Sequence, residues 1–214
     1  MLGGAAPESR ALAVLPGAFN PPTLAHVELA RAARGRGFDV LFSLSTHTID
    51  KQDSPGLTLE ERLHLLAEMA AAGDRFGVVL QNRGLYAEQA EALRRSFPAV
   101  ETLAFVVGMD KVGQIFAPRY YADLEDSLAA LFGHARLLVA ARAELDRSHL
   151  SRLLEREPAR RFADRIEWLE LDPRWREVSA TAVRKRLARG DTPAEWLPEP
   201  VERYLRRRGP IFTS

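Results

Sequence analysis

The segment Gly17-Ala-Phe-Asn-Pro-Pro-Thr-Leu-Ala-His26 carries residue types that can hold an anion. Gly17 permits close backbone approach or a positive φ. Pro21 and Pro22 stiffen the turn and cannot continue a strand. Thr23 and His26 stand three apart at the start of a helical pattern, so both project from one face of its first turn. Backbone N–H groups and the helix dipole favour negative charge there. A neutral His donates one hydrogen bond to a phosphate oxygen, and a charged His donates two. A lone His on a helix is more often a surface residue. The glycine, aromatic and proline context reverses that reading here.

About 150 residues later, Val178-Ser-Ala-Thr-Ala-Val-Arg184 offers a second such environment. Ser179 is placed to cap a helix. Arg184 follows Thr181 by three residues and shares its face. Hydroxyls, N–H groups and one guanidinium converge there, and Arg suits multidentate contact with phosphoryl oxygens. Alone, the segment reads equally well as a capped helix with a solvent Arg. Between the two, Phe105-Val-Val-Gly-Met-Asp110 ends an apolar run in Gly108, which leaves room for a ligand. Asp110 can accept from ribose hydroxyls or cap the next helix.

These residues need a scaffold, and the hydrophobic pattern supplies one. Apolar runs at Ala11–Pro16, Phe38–Leu44, Phe76–Gln81, Leu103–Val107, Ala135–Ala141 and Ile166–Leu171 read as strands. Helical patterns fall between them, at Thr23–Arg34, Leu59–Ala72, Ala87–Ser96, Lys111–Phe116, Asp123–Phe132 and Ser148–Glu155. Ser179–Arg189 and Glu199–Arg208 close the chain as helices. Thr58 with Glu61 predicts a capping box, and Gly73 a helix end. The alternation predicts an α/β fold: a doubly wound, Rossmann-like parallel sheet with a helical C-terminal segment. Residues 1–214 are expected to form one domain, its helical part covering about 174–214. Ligands of such sheets bind at the carboxyl ends of strands, where the first motif falls.

The first motif resembles the nucleotidyltransferase signature GxFxPxHxGH, whose first His is sometimes Thr. It is matched by Gly17, Phe19, Pro21, Thr23 and His26, with Ala25 where the family has Gly. Val178–Arg184 is similar to the family's ISxTxxR element. Phe105–Asp110 resembles the FIIGxD segment of nicotinate and nicotinamide mononucleotide adenylyltransferases, and Trp196–Leu205 their closing segment. The subfamily has Ser-Tyr-Thr after the third strand, where this chain has Leu85-Tyr86-Ala87. It has a Trp after GxD, where Phe116 or Tyr120 would stand in.

The resemblance implies transfer of an adenylyl group from ATP to a mononucleotide 5′-phosphate, releasing pyrophosphate, with nicotinate or nicotinamide mononucleotide as acceptor. His26, Thr23, Arg184 and Lys51 would be the catalytic set. Gly17, Ala18, Phe19, Gly108, Asp110, Ser179 and Thr181 would bind ATP, and His47, Arg62, Tyr86 and Tyr120 the acceptor. Mg²⁺ would be held mainly by ATP phosphates and water. A phosphate monoester is mostly dianionic near neutral pH, its second pKa being about 6, so no general base is needed.

Composition bounds the rest. Thirty basic residues against 29 acidic ones give a net charge of +1, so no basic field points to nucleic acid. Cysteine is absent, which excludes disulfides and thiolate chemistry. No apolar stretch approaches the roughly 20 residues of a membrane span. Met1–Arg10 lacks a long apolar run and carries Glu8, so a cytoplasmic enzyme is expected. A homo-oligomer is left open. Phosphopantetheine adenylyltransferases and cytidylyltransferases are the rival enzyme readings. A nucleotide-binding protein without catalysis is the rival from another class.

Overall fold

The computed structural model describes residues 8–46, 56–71, 76–209 and 212. Six strands form one parallel sheet: β1 (Ala11–Gly17), β2 (Asp39–Ser45), β3 (Gly77–Gln81), β4 (Thr102–Gly108), β5 (Arg136–Ala140) and β6 (Ile166–Leu169). Their order is β3-β2-β1-β4-β5-β6. The helices are α1 (Leu24–Arg34), α2 (Leu59–Ala71), α3 (Tyr86–Ser96), α4 (Met109–Ile115), α5 (Leu124–His134), α6 (Arg147–Leu154), α7 (Ala180–Leu187) and α8 (Glu199–Arg208). The doubly wound Rossmann-like architecture expected from the pattern is present.

Alternation along the strands explains the two layers. Ala13 and Leu15 of β1 join a core with Val27, Ala30, Leu65, Val183 and Val201 from α1, α2, α7 and α8. Leu12 and Val14 face the other way, into a core with Leu93, Val112, Leu128 and Leu150 from α3 to α6. Strands covered on both faces must be apolar on both, and β1, β4 and β5 are.

The winding direction reverses between β1 and β4. Their pairing runs from Ala11–Thr102 to Val14–Phe105 and stops there. β1 stays paired with β2 as far as Gly17, and β4 with β5 as far as Gly108. The sheet therefore parts beyond Val14 and Phe105, which opens a crevice at its carboxyl edge. That is where such sheets place ligands.

The sixth strand stops at Leu169, short of the expected Leu171. Pro173 lacks an N–H and constrains Asp172, so the chain turns into a 3₁₀ turn at Pro173–Trp175 instead. Gly73, expected to end α2, lies outside the described residues. No helix among the described residues is long and apolar enough to cross a membrane.

Candidate active site

β1 ends at Gly17 and the chain folds back on itself before α1. Phe19 adopts φ 48°, a left-handed conformation that costs a non-glycine residue about 1–3 kcal/mol. Its ring is 1% exposed, and burial of such a side chain returns about as much. The ring lies over Gly17, whose Cβ, were there one, would sit 2.9 Å from the Phe19 Cζ. Gly17 is thus required by Phe19 itself, and its own φ is not positive. Phe19 packs edge-on against His26 with ring centroids 5.0 Å apart.

Thr23, fully buried, is the N-cap of α1. Its backbone N–H donates to His26 Nδ1 at 3.0 Å, and its Oγ1 lies 2.8 Å from the same nitrogen. A backbone N–H can only donate, so Nδ1 accepts, and in the neutral ring Nε2 then carries the proton. The imidazole is fixed as a donor through Nε2 at a helix N-terminus.

Ser179 caps α7 as expected, its Oγ accepting from Ala182 N at 3.0 Å. Arg184 Nη1 donates to the Asn20 carbonyl at 2.7 Å, and Nη2 to Thr181 Oγ1 at 3.2 Å. One guanidinium thereby ties the two half-sites, 164 residues apart, into one. Among the described residues its bonds go to neutral oxygens and no carboxylate pairs with it. Burial lowers its pKa, yet a guanidinium remains charged.

Arg62 follows a similar course. Its Nη1 donates to the Ala18 carbonyl at 3.1 Å and its Nε to Thr58 O at 3.2 Å. Burial lowers its pKa as well. Its resolved bonds clasp the β1–α1 loop from α2.

Across the crevice, the Asp110 carboxylate folds over Gly108, where any Cβ would collide with it. Gly108 is the N-cap of α4, and Asp110 is exposed in the first turn. Tyr86, the first residue of α3, lies edge-on to Phe105 at 5.1 Å. Burial, and then the charge of Asp110, raise its pKa, so it stays a neutral phenol. Tyr121 also acts on Tyr86 and donates to Ile115 O at 2.9 Å. Tyr120 is taken up by Arg119, whose guanidinium lies 4.7 Å over its ring. Phe116 stacks on Phe132 at 6.0 Å.

His26, Thr23, Gly17, Ala18, Phe19, Arg62, Ser179, Thr181 and Arg184 are therefore gathered in one bonded cluster. Gly108, Asp110 and Tyr86 form a second group at the adjoining strand ends. Tyr120 meets Arg119 in the turn that follows α4. His47 and Lys51 lie outside the described residues. Among the described residues no group of three or more His, Cys, Asp or Glu converges on a metal position.

Two residues passed over in the sequence hold the site together. Asn20, 5% exposed, accepts from Leu57 N at 3.0 Å through Oδ1 while its carbonyl receives Arg184. Its signal is a polar side chain wedged between Phe19 and Pro21. Arg142 follows β5 and donates through Nη1 to Val178 O at 2.7 Å. Its signal is a charge at the carboxyl end of an apolar strand.

The fold and this pair of helix starts define a nucleotidyltransferase: residues 14–186 match the cytidylyltransferase-like family, and the chain belongs to it. Its relatives within that family carry a narrower name. A protein of Stenotrophomonas maltophilia named "Probable nicotinate-nucleotide adenylyltransferase" is 28% identical, over 90% of this chain and 93% of its own. One of the same name from Aeromonas hydrophila is 29% identical, over 92% and 95%. The solved Plasmodium falciparum nicotinic acid mononucleotide adenylyltransferase complexed with NaAD shares the fold with a TM-score of 0.68. It is 14% identical, with 93% of this chain and 96% of that one covered.

Proposed function

We propose that the protein transfers the adenylyl group of ATP to nicotinate or nicotinamide mononucleotide, forming the dinucleotide and pyrophosphate. The observation that carries this reading is the 2.7 Å bond from Arg184 to Asn20 O, which joins two phosphate-shaped helix starts at one crevice. The names of the relatives support the choice of nucleotide and acceptor.

The acceptor phosphate attacks the α-phosphorus, and the bond to the β-phosphate oxygen breaks. Phosphoryl transfer of this kind is accelerated mainly by alignment and charge stabilisation. His26 Nε2–H and the α1 N-terminus donate to triphosphate oxygens. Arg184, Thr181 and the start of α7 take the departing pyrophosphate. Lys51 adds positive charge. Asp110 accepts from a ribose hydroxyl, and His47, Tyr86 and Tyr120 serve the acceptor. Arg62 acts by holding the Ala18 carbonyl. Mg²⁺ brought with ATP would offset phosphate charge beside His26 and Arg184, and would be held mainly by phosphates and water.

The test is pyrophosphate release from ATP and Mg²⁺ with nicotinate mononucleotide, nicotinamide mononucleotide and phosphopantetheine in parallel. Release with one pyridine mononucleotide, and the matching dinucleotide by mass, is expected. Release only with phosphopantetheine reassigns the acceptor. Silence with all three despite ATP binding overturns the reading in favour of a nucleotide-binding protein.

A further inference from the structure

The start of α7 is gripped from two sides. One grip is Arg184 on the β1–α1 loop. The other comes from the turn after β5. Arg142 N donates to Leu145 O, and Leu145 N to Arg142 O, both at 2.9 Å, so the base of the arm is fixed. Its stem passes along the end of β4: a Cβ on Gly108 would lie 3.5 Å from Arg142 Cβ. Its Nη1 then donates to Val178 O at 2.7 Å and Arg176 O at 3.3 Å. Ala143 N adds a third bond to the same strip, to Arg176 O at 3.2 Å, from a residue held at φ 47°. Among the described residues no carboxylate pairs with Arg142.

Val178 is 2% exposed and immediately precedes the cap Ser179. Consecutive Cα atoms are a fixed 3.8 Å apart, so displacing Val178 displaces Ser179. We propose that Arg142 is a positioning residue: it fixes the 176–178 strip so that Ser179, Thr181 and Arg184 face the crevice together. This rests on the transferase reading above and assigns to Arg142 the alignment of its pyrophosphate half. It ties two strand ends, β4 and β5, to a helix start that is distant in sequence.

The experiment compares wild type, Arg142→Ala and Arg142→Gln in two measurements. Kinetics in both directions should show KM for ATP and for pyrophosphate raised about tenfold, or ~1.4 kcal/mol of binding. KM for the acceptor should stay within twofold. Amide exchange should quicken at Ala182 and Val183, whose N–H groups bond to Ser179, and not in α2 or α8. An active wild type with unchanged KM values and exchange in both variants overturns the inference. So does an equal rise in both substrates' KM with general loss of protection, which marks a structural role only. Should Arg142→Ala fail to fold, Arg142→Gln decides. If wild type turns over none of the three acceptors, the proposed function fails by itself, and the exchange measurement still decides for or against Arg142.

Discussion

At the start of α1, the Thr23 N–H donates to His26 Nδ1 at 3.0 Å; at the start of α6, the Asp146 N–H reaches His149 Nδ1 at 3.3 Å. Both helices open with a cap residue and a His three positions on. The partners differ. At α6 a carboxylate oxygen of Asp146 also lies 2.9 Å from Nδ1, so the ring has a charged neighbour there. At α1 the buried Thr23 offers no charge, and Nδ1 accepts. The surroundings differ more. Among the described residues the side-chain hydrogen bonds of Asp146 and His149 stay within residues 146–149, and the two side chains are 45% and 37% exposed. The start of α1 receives the Phe19 ring, Arg62 through Ala18, and Arg184 through Asn20. One local device becomes a cap in one place and a candidate phosphate donor in another. The difference is what the fold brings to it.

The largest effect should separate the two histidines. His26→Ala is expected to lower kcat by ~2–4 kcal/mol of barrier, roughly 30- to 1,000-fold, the scale for losing one charge-stabilising donor. His149→Ala should leave kcat within about twofold, since its bonds are local. Steady-state rates of the two variants side by side check this. Equal losses would erase the distinction between the helices.

Arg184→Lys sharpens the same contrast from the tertiary side. An ammonium cannot reproduce the fork that reaches Asn20 O and Thr181 Oγ1 together. A loss of about tenfold in kcat/KM is expected, equivalent to one charged hydrogen bond. An unchanged rate would return Arg184 to an ordinary half-exposed residue.

Most of the scaffold was legible because its signals are local. Apolar runs marked all six strands, and α8 matches its expected bounds, Glu199–Arg208. Thr58 and Glu61 exchange both capping bonds, at 2.7 and 3.2 Å. The site was legible only as separate pieces. Spacing marked Thr23, His26, Ser179 and Arg184, and it gave no hint that Arg184 would bond to Asn20. Such a contact leaves no trace in either segment. Tyr121 beside Tyr86 was hidden for a similar reason. Two adjacent tyrosines look alike in sequence, and only the 3₁₀ turn at Pro118–Tyr120 decides that Tyr121 bonds to Ile115 O while Tyr120 meets Arg119. The closure of Phe19 over Gly17 was out of reach too, because the pattern could say that Gly17 mattered without saying to which atom.

The smallest effect compares two capping carboxylates, Glu61 on α2 and Asp146 on α6. Glu61, its side chain 16% exposed, accepts from Tyr204 at 2.6 Å and Arg208 at 3.0 Å, so it pins α8 to α2 besides capping. Its pKa is lowered, chiefly by the Tyr204 hydroxyl. Asp146 is lowered too, chiefly by the Ser148 hydroxyl and then by His149, all within one turn. A depressed carboxylate contributes stability above its unfolded pKa of about 4 and loses it as pH falls through the folded value. Glu61→Gln should therefore cost about 1–2 kcal/mol at neutral pH, with the deficit against wild type shrinking below roughly pH 4. Asp146→Asn keeps an accepting oxygen at an exposed cap, and its Tm should fall by no more than about 2 °C. Urea or thermal unfolding of both variants at pH 7 and pH 3.5 reads the difference. A larger loss from Asp146→Asn would mean that the α6 box carries tertiary weight, and its contrast with α1 would have to rest on the chemistry of the two His partners alone.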